Sequence, residues 1–229
     1  MNKKTPSVSL LFMVMSILFC VCLITANLFA TKQIAIGPVS VTGGVLVFPI
    51  SYIINDCVSE VWGYRRARLL IWLGFAMNFF VVTLYALCDA IPPAPYWHNA
   101  EGFHAIFGLA PRIVTASFIA FLAGSFLNAY VMSRMKVKDN GRHFWARAIW
   151  SSVLGESIDS LIFFPLAFIG IIPTAELPWL MLWQVILKTA YELLVLPLTT
   201  QIVKRVKRIE GEDVYDIDID YNILKILNL

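Results

Sequence analysis

The feature that most constrains this chain is a series of apolar runs, each about 20 residues long, that follow one another along most of the sequence. A helix of about 20 residues crosses the roughly 30 Å hydrocarbon core of a bilayer. The composition agrees, since 59% of the 229 residues are hydrophobic and only 14% are charged. Such a balance is typical of an integral membrane protein and not of a soluble globular domain. The fold class we predict is therefore an all-α membrane protein.

Six transmembrane helices are predicted from these runs. Their approximate bounds are residues 8–31, 43–62, 67–90, 112–133, 145–172 and 178–203. We assign residues 1–208 to a six-helix transmembrane domain and residues 209–229 to a mobile acidic cytoplasmic tail. The first run could instead be a secretory signal, but it is longer than the apolar core of about 7–15 residues that such signals contain.

The basic residues predict how the helices are oriented. Most of the 18 lysines and arginines fall at the N-terminus, between helices 2 and 3, between helices 4 and 5, or at the end of helix 6. Basic loops stay on the cytoplasmic side during insertion, so we expect both termini to be cytoplasmic. The net charge of +3 then reflects topology and contact with membrane lipid headgroups, and we expect no nucleic-acid partner.

Ionisable residues inside the predicted helices mark a candidate site. They form pairs with helical spacing on three helices: Asp56 and Glu60, Glu156 and Asp159, and Lys188 and Glu192. Each pair has a spacing of three or four residues, so its two members share one helix face. A charge near the bilayer centre costs roughly 2.5–3.5 kcal/mol, and such residues usually serve a pathway or a binding site. Glu60 is an exception, because it lies near the cytoplasmic boundary, where we expect it to face water beside Arg65.

The acids outnumber the single Lys188, and the sequence leaves three explanations open. Some carboxyl groups are protonated, or water and Arg112 or Lys32 reach them, or the site receives a cationic or hydrogen-bond-donating ligand. Buried acid–lysine pairs also occur as simple helix-to-helix contacts. The same holds for three asparagines, which we expect to hydrogen-bond between helices: Asn27, Asn78 and Asn128.

Four ordered stretches resemble a known family. They are FPISYIINDCVSEVWGYRRAR in helix 2, PRIVTASFIAFLAG in helix 4, LGESIDSLIFFPLAF in helix 5 and LKTAYELLVLPL in helix 6. Together they are similar to the bacterial queuosine precursor transporters, also grouped as putative vitamin uptake transporters. The resemblance covers all six helices and leaves out the acidic tail.

Membership would imply a six-helix protein of the bacterial inner membrane that imports 7-deazaguanine precursors of the tRNA base queuosine. The expected cargo is 7-cyano-7-deazaguanine, its aminomethyl derivative, or both. The resemblance also implies a fold similar to the substrate-binding subunits of energy-coupling-factor vitamin importers. Neither the cargo nor this fold follows from composition or spacing.

The family pattern can be placed on individual residues of this chain. It falls on Asn27, Phe48, Pro49, Asp56, Gly63, Arg68, Arg112, Ser117, Gly155, Asp159 and Lys188. Glu60, Glu156 and Glu192 occupy positions where other members carry different residues. The substrate-binding residues we predict are Asn27, Phe48, Asp56, Arg112, Ser117, Glu156, Asp159, Lys188 and Glu192.

Two other functions were weighed. A binding subunit that docks on a separate ATP-driven module would need a small-residue stripe, which helix 4 offers in Ala116, Ala120 and Gly124. An intramembrane hydrolase is disfavoured, since the sequence lacks HExxH and GxSxG motifs and places no histidine at membrane depth. We therefore expect no enzyme activity, no catalytic residue, no metal and no cofactor. Whether the chain works alone or as a homodimer stays open.

Overall fold

The computed structural model describes residues 9–36, 39–107, 111–170 and 173–225, with the side chains of residues 33, 36, 39, 40 and 111–114 left out of the description. In chain order its elements are α1 (Leu10–Phe29), β1 (Gln33–Ile36), β2 (Val39–Thr42), a 3₁₀ turn (Gly43–Leu46), α2 (Phe48–Asp89), α3 (Ala100–Phe107), α4 (Pro111–Lys138), α5 (Phe144–Phe168) and α6 (Leu177–Glu210).

The prediction of a helical membrane protein is confirmed. Within the described residues, five helices are long and apolar enough to cross a bilayer: α1, α2, α4, α5 and α6. The sequence did not indicate the antiparallel ribbon of β1 and β2, in which Gln33 pairs with Thr42 and Ile36 with Val39. The short α3 occupies the loop before α4.

The 42-residue α2 is broken at Gly63, which has φ 79° and ψ 177°. A residue with a Cβ adopts this backbone conformation only with strain, so glycine fits the position. We call residues 48–62 the first arm and residues 64–89 the second arm. These correspond to the predicted helices 2 and 3, which the sequence places on either side of a basic loop.

Contacts with α1 show that the chain reverses direction at Gly63. Trp62, at the end of the first arm, packs edge-on against Phe12 near the start of α1, with ring centroids 5.4 Å apart. At the other end of α1, Asn27 donates a 3.0 Å hydrogen bond to Asn78 of the second arm. The turn before the first arm reaches the same level, because a Cβ on Gly44 would lie 2.8 Å from a backbone oxygen in the last turn of α1. The two arms therefore form a helical hairpin.

The chain after α6 completes this hairpin. The Tyr64 backbone N–H, at the start of the second arm, donates to Asp216 Oδ2 at 2.8 Å. The Val214 N–H donates to the Val61 carbonyl, at the end of the first arm, at 3.0 Å. Ser133 of α4 also donates to Asp216 Oδ2, at 2.5 Å. Unpaired N–H groups at a helix start need an acceptor, and here a distant segment supplies it.

The prediction of a mobile tail is therefore wrong for residues 213–223, because this segment packs on the helices. Arg68 donates to the Asn222 carbonyl at 2.7 Å, and Trp72 Nε1 donates to the Ile223 carbonyl at 2.8 Å. Asp216 is only 6% exposed. The division of the chain at residue 208 stays a prediction.

Helices α4 and α5 approach each other closely at a pair of glycines. A Cβ on Gly124 would lie 2.8 Å from the Gly155 carbonyl oxygen, and a Cβ on Gly155 would lie 2.8 Å from the Gly124 oxygen. Only glycine permits this backbone distance. Ala116, Ala120 and Gly124 are all buried inside the chain. The small-residue stripe of α4 is thus used within the chain and is not a free docking face.

Candidate functional site

A cavity of about 470 Å³, including its open mouth, lies at the end of the bundle opposite the Gly63 bend. The described residues that line the cavity come from α1, the β2 turn, α2, α4, α5 and α6: Ala26, Asn27, Ala30, Thr42, Gly44, Phe48, Ser117, Asp159, Phe163, Phe164, Gln184 and Lys188.

An ion pair occupies one wall of this cavity. Lys188 Nζ of α6 lies 3.3 Å from Asp159 Oδ2 of α5, and these side chains are only 4% and 11% exposed. The same ammonium lies 4.1 Å from the centroid of the Phe48 ring, which is cation–π distance. A hydrogen-bond acceptor, a donor and a ring are therefore placed side by side in the cavity wall.

The amide of Asn27 contributes a neutral polar group to the cavity and is fixed from two directions. Ser117 Oγ of α4 donates to Asn27 Oδ1 at 3.1 Å, while Asn27 Nδ2 donates to Asn78 Oδ1 at 3.0 Å. These bonds join α1, α2 and α4. Asn27 is thus both an interhelical contact, as predicted, and a lining residue.

The structure brings together five of the nine predicted site residues at the cavity: Asn27, Phe48, Ser117, Asp159 and Lys188. Asp56, Glu156 and Glu192 are absent from its lining and lie in a separate buried layer. The side chain of Arg112 lies outside the described residues. Sequence reasoning did not select Phe163, Phe164 and Gln184 as site residues.

Asp56 and Glu192 belong to a layer of polar side chains between the helices. We call these two residues and Glu156 the acid layer. Ser152 Oγ of α5 lies 2.7 Å from Glu192 Oε1 and 3.5 Å from Asp56 Oδ2. Its single hydrogen is best placed to reach Glu192. Asn128 Nδ2 donates to Ser152 Oγ at 3.4 Å. Asp56 and Glu192 are 1% and 3% exposed, so this layer is shielded from solvent.

Glu156 lies on the same face of α5 as Asp159 and is fully buried, with 0% exposure. Neither of its carboxyl oxygens has a hydrogen-bond partner among the described residues. A buried ionised carboxylate without partners is strongly unfavourable. The surroundings of Glu156 therefore favour its neutral form.

Glu60 lies in a second buried cluster beside the Gly63 bend, and the expectation that it faces water beside Arg65 is wrong. It is 1% exposed and contacts three cations. Arg147 Nη2 lies 2.7 Å from Glu60 Oε2, while Lys207 and Lys136 lie 2.6 Å and 3.9 Å from Oε1. We call these four residues the Glu60 cluster. Its three cations neutralise Glu60, an acid for which the sequence indicates no buried partner.

Two further aspartates balance the cations of the Glu60 cluster. Asp139 accepts two hydrogen bonds from Arg147, both at 2.8 Å. Asp213, which follows α6, lies 2.5 Å from Lys136 and 2.8 Å from Lys207. Acidic and basic groups alternate here, so the cluster ties α2, α4, α5, α6 and the last segment together.

Comparison with known proteins gives the family of the chain. Residues 42–202 match the model of the family described as "Putative vitamin uptake transporter". A protein named "Probable queuosine precursor transporter" from Bacillus subtilis is 27% identical over 76% of each chain. The "Queuosine precursor transporter" of Escherichia coli is 28% identical over 67% of each chain. No solved structure matches the chain significantly.

The matched region contains α2, α4, α5 and most of α6, and thus the cavity's ion pair and the acid layer. The family consists of transporters and is not an enzyme family. Together with the apolar helices, this supports a multi-pass membrane protein with a small-molecule substrate. By the match over most of its length, the chain belongs to the putative vitamin uptake transporter family.

Proposed function

We propose that this protein imports a queuosine precursor, 7-cyano-7-deazaguanine or 7-aminomethyl-7-deazaguanine or both, and binds it in the cavity between α1, α2, α4, α5 and α6. The observation that carries the proposal is the Asp159–Lys188 pair in the cavity wall, beside the ring of Phe48. The names of the relatives supply the substrate class.

The chemistry of a 7-deazaguanine matches these groups. Its N1–H and 2-amino group are adjacent donors, and a carboxylate such as Asp159 can accept from both. Its O6 is an acceptor for the Lys188 ammonium. The rings of Phe48, Phe163 and Phe164 give flat apolar surface for the base. A purine without the 2-amino group would leave part of the carboxylate unpaired and bind more weakly.

The proposed topology has six spans, because the two arms of α2 run in opposite directions. Both termini and the Gly63 bend would lie on the cytoplasmic side, and the cavity on the outer side of the bacterial inner membrane. Large apolar side chains cover the outer surface of the helices, among them Phe79, Phe80 and Leu194, which are 56%, 56% and 83% exposed. Such residues are suited to contact with lipid tails.

The alternative of a binding subunit for an ATP-driven importer gains no support from its sequence cue. That cue is the small-residue stripe of α4, and Gly124 of the stripe packs against α5 inside the chain. We therefore favour a carrier that acts without such a module.

The test is binding and uptake with and without Asp159→Asn. The purified protein in detergent is heated with 7-cyano-7-deazaguanine, 7-aminomethyl-7-deazaguanine, guanine or biotin, and the shift in Tm is measured. A ligand raises Tm only if it binds the folded state. Loss of a hydrogen bond to a charged group costs about 1.5–3 kcal/mol, so we expect uptake of the deazaguanines to fall at least roughly tenfold in the variant.

Asp218→Asn is the matched control, because Asp218 is exposed after α6 and its φ of 55° is one that asparagine tolerates. It should leave binding and uptake unchanged. Full uptake by Asp159→Asn would exclude the proposed role of the carboxylate. A Tm shift with biotin and none with either deazaguanine would keep the cavity as a binding site and exclude the proposed cargo.

A further inference from the structure

The acid layer has a surplus of carboxyl groups that the cavity's ion pair does not explain. Within the described residues, Asp56, Glu156 and Glu192 make no ion pair at 4 Å or less, whereas Lys188 is already paired with Asp159. Burying three unpaired carboxylates in a low-dielectric interior would be strongly unfavourable. Protonation of one or more of these carboxyl groups would remove this cost.

The geometry of Asp56 and Glu192 indicates where such a proton would bind. Ser152 Oγ lies between the two carboxyl groups, 2.7 Å from Glu192 Oε1 and 3.5 Å from Asp56 Oδ2. Each still has an oxygen, Asp56 Oδ1 and Glu192 Oε2, that receives no hydrogen bond from any described residue. A hydrogen bond between two carboxyl groups requires a proton on one of them. A proton on one of the two carboxyl groups would supply a donor that these oxygens lack.

A tyrosine also lies inside the layer, and its hydroxyl is buried and unpaired within the described part of the chain. Tyr52 of the first arm is 2% exposed, and its hydroxyl has no partner among the described residues. The hydroxyl lies beside Gly124, since a Cβ built there would be 2.6 Å away. It is within electrostatic range of Asp56, Glu192 and the two carboxyls of α5. It is thus a buried donor without a described acceptor, close to the carboxyl groups of the layer.

We propose that Asp56, Glu192 and Glu156 form a proton-binding site, and that substrate in the cavity changes its proton occupancy. The groups that face this site are carboxyls, a phenol and one ammonium. They are Tyr52 and Glu60 from α2, Asp159 from α5 and Lys188 from α6, while α4 contributes the neutral amide of Asn128. A proton fits better than a metal ion, because no three acidic, His or Cys residues in the described part of the chain are arranged to hold one.

The coupling step rests on the proposed function. When substrate donors occupy the Asp159 carboxylate, the Lys188 ammonium keeps one N–H for the substrate O6 and can turn another toward Glu156, with which it already interacts electrostatically. An ammonium beside a protonated carboxyl favours the carboxylate. The proton leaves Glu156 for solvent, Lys188 then pairs with the Glu156 carboxylate, and the Asp159 carboxylate accepts from the substrate N–H groups, so the site becomes one charge unit more negative.

Infrared spectroscopy of the purified, substrate-free protein tests the site directly, because a protonated carboxyl and a carboxylate absorb separately. At neutral pH we expect a protonated-carboxyl band that weakens in Asp56→Asn, Glu156→Gln and Glu192→Gln. Glu176→Gln is the matched control, since Glu176 is exposed at the start of α6. If any variant fails to fold, titration of the unmodified protein decides, because the band must disappear at alkaline pH. A spectrum without this band, or a band that none of the three substitutions weakens, would overturn the site.

A pH-indicator dye in weak buffer tests the coupling. Mixing the protein with 7-cyano-7-deazaguanine should release about one proton per bound ligand, and Glu156→Gln should bind the ligand with loss of this release. Binding without proton release in the unmodified protein would overturn the coupling and leave the proposed function intact. Absence of binding would overturn the proposed function and the coupling with it, while the infrared band would still decide the proton site. Uptake that requires sodium and ignores pH would exclude the proton as the coupled ion.

Discussion

The Glu60 cluster and the acid layer are two buried groups of charges on the same helices, and they are built in opposite ways. In the cluster one glutamate contacts three cations, and two aspartates balance the remaining charge. In the acid layer and the adjoining cavity wall, only one of four carboxyl groups, that of Asp159, pairs with a cation among the described residues. The first arrangement is complete without a ligand, as a structural contact should be. In our proposal a proton or a substrate completes the second, which is expected of a transport site.

The largest expected effect comes from breaking the complete arrangement. Glu60→Gln would leave Arg147 and Lys136 buried without their central carboxylate, and removal of one partner from a buried ion pair costs about 3–5 kcal/mol. We expect a fall in Tm of roughly 2–4 °C per kcal/mol for a chain of this size. Thermal unfolding in detergent, followed by tryptophan fluorescence, measures it. An unchanged Tm would mean that the cluster contributes nothing to stability.

The next effect concerns the segment that holds the cluster against the hairpin. Asp216→Ala removes the acceptor for the Tyr64 N–H and for Ser133, and loss of a helix cap costs about 0.5–2 kcal/mol. Glu212→Ala, at an exposed position nearby, should leave Tm unchanged. Equal Tm values for the two variants would show that the cap at the Gly63 bend is dispensable.

A smaller effect is expected from pH at Asp213. Burial raises the pKa of this carboxyl, but hydrogen bonds from Lys136 and Lys207 outweigh burial and hold the pKa below its ordinary value of 3.8. The stabilisation by Asp213 is therefore fully present above pH 3.8 and is lost as the pH falls through the lowered folded-state pKa. Because this side chain is 44% exposed, the contribution is under about 1 kcal/mol.

The Tm of Asp213→Asn measured against pH checks this sign. The variant should melt slightly below the unmodified protein near neutral pH, and the two curves should converge in acid. A gap that widens as the pH falls would contradict the proposed pairing.

The smallest expected effect is the most informative counterpart of the first. Glu156→Gln makes the same chemical change as Glu60→Gln, but it replaces a carboxyl whose surroundings favour the neutral form. We expect a change of stability within about 1 kcal/mol, because no described cation loses an ion pair. A destabilisation as large as that of Glu60→Gln would show that Glu156 is ionised and paired, and that the two regions do not differ.

The sequence predicts the helices and half of the site for identifiable reasons. Apolar runs of bilayer length are a strong signal, and a pair such as Lys188 and Asp159 is conspicuous in them. The partners of Glu60 cannot be predicted in this way, because its three cations come from α4, α5 and α6 and look like ordinary basic ends of helices. Sequence spacing shows which residues share a face of one helix, but it gives no information about which helices contact one another.

Two other misses have different causes. Phe163 and Phe164 line the cavity, but in an apolar helix nothing distinguishes them from lipid-facing aromatics. The acidity of the last segment favours the prediction that it is mobile. Its alternating stretch, DIDIDY, carries Ile219 and Tyr221, which pack on the hydrophobic core, and that alternation was a usable signal. The acidic residues of this segment hide the alternation of its apolar residues.

The cap at the Gly63 bend also bears on how the protein is made. Asp216 lies 152 positions after Tyr64, so both arms of the hairpin are synthesised long before their acceptor exists. We therefore expect the hairpin to enter the membrane while the start of its second arm is still uncapped, and Asp216 to cap it afterwards. The last step of assembly is therefore the docking of the segment that contains Asp216 at the Gly63 bend. A fusion partner placed shortly after residue 225 is expected to disturb this docking.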